Sequence, residues 1–434
     1  MEFALIIAAW VALAYQCAAM AGIIAFRMKR PAAWHWTPPV SILKPVRGLD
    51  EDFDEAILSH ALQDYPEFEI LFGVASLDDP AVPAIRRLIA AHPERSIRLV
   101  HSQTAAPNGK VGVLIDLARE ARHAILLVND SDISVPPEYL RRVVAPLRLP
   151  DIGLVTCLYR AASSSSAGKW EAFGIAVDFI PSTLVAPLVG IREFGLGSTL
   201  VFRREDLDAI GGFETIADYI ADDYQLARRI TRRGPRAHLS EVVVETHLSD
   251  PGWPAVWRHQ VRWARTIRVS RGDGYIGLPV THAGLWALLC LVSGLPLYAA
   301  ALAAMRAAMA FAAAVTLRNP RSALLSPLAP VWDLWAFVVW IAGWSGRRIE
   351  WRGGYSVLTA DGRLRPEPRG TEPDPPHAGS SVTTPPESGT SDTVSRAPST
   401  APDDRPPAPA APAPAASARH RAPPRPPHSA NPPR

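Results

Sequence analysis

The chain has 434 residues, 48% of them hydrophobic, with 43 prolines and a net charge of +3 at neutral pH. That length admits two or three domains, and a charge so close to balance argues against a nucleic-acid partner, whose phosphates select a basic surface. The three cysteines, Cys17, Cys157 and Cys290, show neither pairing nor Cys/His ligand spacing, which fits a reducing compartment and excludes a zinc site.

Residues 3–26, "FALIIAAWVALAYQCAAMAGIIAF", carry no charge and are long enough to cross a bilayer, which takes about 20 residues. Glu2 precedes the run and Arg27, Lys29 and Arg30 follow it, the reverse of a secretory leader. Segment 1–30 is therefore expected to be a transmembrane anchor, with the chain after Arg27 starting on the cytoplasmic side.

Segment 37–278 alternates short apolar runs with amphipathic ones. "VSILKPV" (40–46), "EILFGVAS" (69–76), "SIRLVHS" (96–102), "AILLVND" (124–130) and "GLVTCLY" (153–159) read as buried strands. The stretches 51–63, 80–92, 109–122 and 137–147 read as helices between them. Strand–helix alternation predicts an α/β domain with a mainly parallel sheet covered on both faces. Ligands bind such sheets beyond the C-terminal strand ends, so "KPVRG" (44–48), "SLDDP" (76–80) and "NDSDI" (129–133) share one rim. No GxxxxGK[ST], HExxH or GxSxG occurs, and "GLGSTL" (195–200) lacks the last glycine of a dinucleotide fingerprint. Asn129-Asp130-Ser131 is formally a glycosylation sequon, but on a cytoplasmic strand end it is read as chance.

Asp130 and Asp132, spaced i and i+2 at a strand mouth, either share one divalent cation or form a solvated Asx-turn. Mg²⁺ needs only one or two carboxylates, with water and phosphate oxygens completing its octahedron. "ADDYQLARRI" (221–230) adds a second acid pair, Asp222 and Asp223, at a helix start, where acids also serve as ordinary dipole partners. "WRHQVRWARTIR" (257–268) is an aromatic and basic helix that suits a membrane interface.

A second apolar region fills 279–348. The pieces 283–305 and 324–345 are each long enough to cross, and 307–317, set off by Arg306 and Arg318, reads as a re-entrant or interfacial helix. A short juxtamembrane segment, 349–364, follows. From 365 to 434 the chain is Pro-, Ser-, Thr- and Ala-rich and is expected to be a disordered, solvated tail whose partner, if any, is unknown.

The ordered set "SILKPVRG", "LDDP", "NDSDI", "ADDYQL" and "HQVRW", between one N-terminal span and a C-terminal membrane cluster, resembles the ceramide glucosyltransferase family. The similarity is strongest to its bacterial members associated with hopanoid lipid synthesis, and runs from the anchor to "IEWRGGYSVL" (349–358). It implies a GT-A fold, a UDP-sugar donor, Mg²⁺ or Mn²⁺, and inversion at the anomeric carbon. Carried over by position, Asp79, with Asp78 beside it, faces the uridine, Asp130 and Asp132 hold the metal, and Asp223 is the catalytic base. His259, Arg262 and Trp263 occupy the closing motif near diphosphate and acceptor, with His259 standing where the family usually has Gln or Arg. Lys44 and Lys110, the latter in "PNGKVG" (107–112) where Asn-Pro-Lys is more usual, complete the donor-binding set. The implied protein is an integral membrane hexosyltransferase, in a bacterial inner membrane, that glycosylates a ceramide- or hopanoid-type lipid hydroxyl from the cytoplasmic side. Its rivals are a processive polysaccharide synthase, which usually needs a larger transmembrane bundle, and a non-catalytic membrane scaffold.

Overall fold

The structure, a computed structural model, describes residues 2–30, 36–249, 251–351 and 354–366. The five expected strands form from their apolar runs, and three further strands join them. They are β1 (Val40–Val46), β2 (Phe68–Val74), β3 (Ser96–His101), β4 (Ile125–Val128), β5 (Ile133–Ser134), β6 (Ile152–Ala162), β7 (Leu200–Arg203) and β8 (Arg236–His247). They make one sheet in the order β3-β2-β1-β4-β7-β6-β8-β5. Six strands run one way, and β5 and β7 run against them. The sheet is thus mainly parallel, as expected, with the two reversed strands confined to its second half.

Helices Phe53–Ala61, Val82–Ala91, Gly109–Glu120 and Tyr139–Val144 fall within the four expected stretches. They cover the sheet through two apolar layers, one containing Ile42, Phe72 and Leu127, the other Leu43, Leu71, Leu126 and Phe202. Those residues alternate along β1, β2 and β4, so each strand is buried on both faces, the condition that made it readable as a continuous run. The register pairs Leu43 with Val128 and Val46 with Val74, which brings the ends of β1, β2 and β4 to a common rim.

Among the described residues, three helices are long and apolar enough to cross a membrane: Glu2–Arg27, Pro296–Thr316 and Ser326–Trp344. A bent pair, Gly272–Thr281 with Ala283–Val292, makes a 51° break and is either a broken span or a re-entrant loop. The breaks fall elsewhere than the charges suggested. The piece 283–305 is interrupted at Gly294, whose φ of +76° is open to glycine, and at Pro296, which starts the next helix. That helix then runs straight through Arg306 to Thr316, so 307–317 is its second half and no separate element. Arg306 does not interrupt the span because it is 1% exposed and paired with Asp333 of the last long helix (Nη2–Oδ1 2.7 Å).

The membrane helices and the α/β domain share a core. Ala19, Ile23 and Phe26 of the first helix pack with Phe173, Ile180 and Leu184, and with Met309, Ala313 and Trp332. The intervening chain forms Ser166–Gly174, a π-turn over Ile175–Phe179, and Ile180–Val185. Arg306 Nη1 donates to the Val177 carbonyl of that turn (2.8 Å), and a Cβ on Gly174 would meet the Trp332 ring at 2.0 Å. The membrane helices and the α/β domain thus belong to one compact unit. The juxtamembrane segment is a second sheet, β9 (Arg348–Trp351), β10 (Gly354–Leu358) and β11 (Leu364–Pro366), in the order β11-β10-β9. Nearly all of the expected disordered tail, from 367 onward, lies outside the described residues.

Candidate active site

The rim is built from β1 and β4. Lys44 follows Leu43 in β1 and is 0% exposed. Its ammonium donates to Asn129 Oδ1 (3.1 Å) and to the Asp130 carbonyl (3.1 Å). Asn129 Nδ2 in turn donates to His60 Nε2 (2.8 Å), and His60 Nδ1 donates to the Ala56 carbonyl (2.9 Å). Burial lowers the Lys44 pKa to about 7, against the pull of Asp132 and Asp130. Burial and the Lys44 charge hold His60 well below the ordinary histidine value. This buried polar trio fixes the backbone from which Asp130 and Asp132 project. Lys44, expected among the donor-binding residues, has no exposed surface. Asn129 is equally buried, which removes the sequon from consideration.

Lys110 arrives from the helix Gly109–Glu120. Asn108 caps that helix, its Oδ1 accepting from Lys110 N (3.1 Å), while its Nδ2 donates to the Tyr219 carbonyl (2.8 Å). One side chain thus ties the Lys110 turn to the loop that leads into the acid helix Asp222–Thr231. Lys110 Nζ lies 2.8 Å from Asp130 Oδ1 and 3.2 Å from Asp222 Oδ2. Burial opposes its charge, but Asp130, Asp222 and Asp223 raise its pKa and keep it protonated.

Asp223 is held at the opposite wall. Its Oδ2 accepts from Gly197 N (3.0 Å) and its Oδ1 from Tyr224 N (2.7 Å). Burial and the neighbouring Asp222 charge push its pKa up to about 6, against Lys110 and the Tyr224 N–H. Gly197 is the seat of the site: a Cβ there would stand 3.1 Å from Asp130 Oδ2, 3.5 Å from Asp223 Oδ2 and 3.7 Å from Lys110 Nζ. "GLGSTL" therefore needs glycine for close approach of carboxylates, a reason unrelated to dinucleotides.

Asp132 accepts from Thr246 Oγ1, which the β5–β8 register sets beside it. Burial, then the Asp130 and Asp50 charges, raise its pKa to about 6. The Asp130 charge that opposes ionisation of Asp132 is what one cation would relieve. Among the described residues no cluster of three or more His, Cys, Asp or Glu side chains could hold a metal ion. The pair nonetheless fits Mg²⁺ or Mn²⁺, because such an ion takes one or two carboxylates and draws its remaining oxygens from water and substrate.

Other expected residues lie apart from this cluster. Asp79 is turned onto the chain, both oxygens accepting from Gly48 N (2.9 and 3.1 Å) and Oδ1 also from Ala81 N (3.0 Å), which joins the ends of β1 and β2. Asp78 is exposed. His259 pairs through Nδ1 with buried Glu171, which also accepts from Gln260 Nε2 (2.9 Å). Trp263 packs at a tilt between His259 and Phe179, with ring centroids 4.8 and 5.6 Å away. Phe179 meets Tyr159 at 5.8 Å, and the charges of Asp223, Asp130, Glu171 and Asp132 all act on the Tyr159 phenol. An aromatic run thus leads from the closing motif to the acids. Arg262 lines a cavity with Arg258, His259, Arg265 and Arg348. His60, Asn108, Glu171 and Thr246 escaped the sequence reading because no local spacing marks them; each acts through a partner distant in the chain.

A mainly parallel sheet with paired acids at its C-terminal rim is of the GT-A class of glycosyltransferase folds, and here apolar helices flank it at both ends. Within that class the chain belongs to glycosyl transferase family 21, whose profile matches residues 3–364. It is similar to ceramide glucosyltransferase 1 of Caenorhabditis elegans, 27% identical over 206 residues, covering 47% of this chain and 44% of that one. It is also similar to the β-monoglucosyldiacylglycerol synthase of Synechocystis, 25% identical over 228 residues, covering 49% and 45%. The chain thus spans under half the length of these relatives. Among solved structures, the mannosyltransferase PcManGT of Pyrobaculum calidifontis, in complex with GDP-Man and Mn²⁺, aligns at a TM-score of 0.49 and 23% identity, covering 77% of this chain and 97% of that one.

Proposed function

We propose that this protein transfers a hexose, glucose or N-acetylglucosamine, from a UDP-sugar to a lipid hydroxyl of the ceramide or hopanoid type, with inversion. The observation that carries the reading is the convergence of Lys110, Asp130 and Asp223 around Gly197, in a domain that shares its core with membrane-spanning helices. The names of the similar proteins, a ceramide glucosyltransferase and a glucosyldiacylglycerol synthase, support a lipid acceptor.

Asp223 is the base. Its carboxylate takes the acceptor hydroxyl proton as that oxygen bonds to the sugar C1 and the C1–oxygen bond to UDP breaks on the opposite face. A pKa near 6 leaves it ionised at neutral pH yet basic enough to accept the proton. Asp130 and Asp132 would hold Mg²⁺ or Mn²⁺, which supplies charge stabilisation to the departing diphosphate. Lys110 adds a fixed positive charge on the same side, and Asn108 sets it. Arg262 is assigned to the diphosphate and Asp79 to the uridine by family resemblance. The catalytic domain faces the cytoplasm, where the donor enters from water and the acceptor from the bilayer.

The test is UDP release from UDP-glucose and UDP-N-acetylglucosamine by membranes containing the chain, with mass spectrometry of the lipid product. Asp223→Asn is expected to lower turnover by 10²-fold or more, on the order of what general-base removal costs, while UDP binding persists. Near wild-type turnover in Asp223→Asn would refute the base, and absence of UDP release in the wild type would refute the transferase.

A further inference from the structure

We infer that the loop tip at residues 187–190 inserts into the lipid surface beside the first membrane helix. Its sequence, Pro-Leu-Val-Gly, has no polar side chain, yet all four residues are exposed, Leu188 by 52% and Val189 by 64%. The turn is held by its own backbone. Leu188 N and Val189 N donate to the Val185 carbonyl (2.9 and 3.2 Å), Gly190 N to the Pro187 carbonyl (3.2 Å) and Ile191 N to the Ala186 carbonyl (2.9 Å), and Gly190 takes a φ of +84°. A single exposed apolar side chain is ordinary, whereas adjoining ones held out by a hydrogen-bonded turn mark an interaction surface.

Its height selects the partner. The helix Ile180–Val185 leads directly into the tip and packs on the last turns of the first membrane helix. Ile180, Leu184 and Val185 share a core with Ile23 and Phe26, and a Cβ on Gly22 would stand 2.9 Å from the Leu184 carbonyl oxygen. Charge begins at Arg27, one residue after Phe26, so Val185 sits where that span meets water. At the same height the span itself exposes Ile24 and Met28, which extends the apolar surface of the tip. Arg27 and Arg30 on the span side and Arg192 on the loop are exposed around it. Apolar side chains rimmed by basic ones are the composition of a segment lying in the headgroup layer. The loop then runs into the site: Glu193 pairs with Arg228 and Arg232 of the acid helix (3.4 and 3.1 Å), and Gly197 N donates to Asp223. Seating the tip on lipid therefore ties the wall that carries Asp223 to the membrane surface. The inference depends on Glu2–Arg27 being a span and is independent of the transferase reading.

The experiment places a nitroxide at Leu188→Cys or Val189→Cys in the full chain carrying Cys17→Ala, since Cys157 and Cys290 are buried. The chain is reconstituted in vesicles of phosphatidylcholine and phosphatidylglycerol. Oxygen concentrates in lipid and a nickel chelate in water, so the relaxation each causes reports where the label lies. Ile7→Cys, exposed on the first membrane helix, is the lipid reference, and Glu94→Cys, in the exposed turn before β3, is the water reference. Labels at 188 and 189 are expected to relax faster with oxygen than with the chelate, as at 7, and the label at 94 to show the reverse. A nickel-dominated ratio at either 188 or 189 would put the tip in water and overturn the proposal. Access by neither reagent would show the tip covered by its own chain, and spin–spin broadening that vanishes on dilution with unlabelled chain would show a second copy there; each would overturn it. A nickel-dominated ratio at 7 would sink the span reading and this inference together. An oxygen-dominated tip in a chain that releases no UDP would sink the transferase reading and leave this one standing.

Discussion

Lys110 balances the charge at the rim, since its ammonium touches Asp130 and Asp222 and its field acts on Asp223. Removing it takes away the principal influence that lowers the Asp223 pKa. Lys110→Met is therefore expected to move the acid limb of the kcat/KM profile upward from about 6, read by pH–rate measurements; an unmoved limb would detach Lys110 from the base. Asp132 gives a second prediction. Its folded pKa, about 6, lies above the unfolded value near 4. The proton it holds supports the metal-free fold at low pH, and that support is lost as pH rises through about 6. A divalent cation replaces the proton, so Mn²⁺ is expected to raise the melting temperature at pH 7.5 and much less at pH 5. Asp132→Asn is expected to abolish the difference, and equal shifts at both pH values would argue against the Asp130–Asp132 site.

At the scale of elements, the Arg306–Asp333 pair joins two membrane helices to the π-turn of the α/β domain. Asp333 also accepts from Gly284 N (2.8 Å), and Trp332 Nε1 donates to Asp178 (3.1 Å). Breaking a buried pair leaves one charge uncompensated, which costs about 3–5 kcal/mol. Asp333→Ala is expected to lower the melting temperature of the detergent-solubilised chain sharply, whereas Arg306→Met/Asp333→Leu recovers part of the loss. A single variant as stable as the wild type would show that packing alone holds the helices. This pair also explains why the charge pattern misplaced the helix breaks: Arg306 reads as a boundary only while Asp333, 27 residues away, is unknown as its partner.

Across the whole molecule, the C-terminal sheet reaches back to the acids. Ile220 N donates to the Gly362 carbonyl (3.1 Å), Leu364 N to the Asp218 carbonyl (2.6 Å), and Arg363 Nη1 to Asp218 Oδ2 (2.8 Å). These bonds pin the loop that enters the acid helix, the same loop that Asn108 holds from the other side. Cutting the chain after Pro366 is expected to leave turnover within about twofold, since the composition beyond it offers no core. Cutting after residue 353 removes β10 and β11 and is expected to lower kcat on the order of 10–100-fold, the scale of a displaced reacting group. Both truncations are read as UDP release at saturating donor; equal activity would show that the loop holds its place alone.

The sequence by itself determined the α/β class, five of the eight strands and the place of two acids at a strand end. Continuous apolar runs and i, i+2 carboxylates are local patterns, and a strand buried on both faces leaves little else for such a run to be. Tertiary structure alone decided that Lys44 is buried beneath the rim, that Gly197 seats the carboxylates, and that Asp79 braces two loops. It also decided that Arg262 lines a cavity with Arg258, Arg265 and Arg348. These are contacts between side chains separated by tens to hundreds of positions, and their direction depends on register and packing that no local pattern encodes.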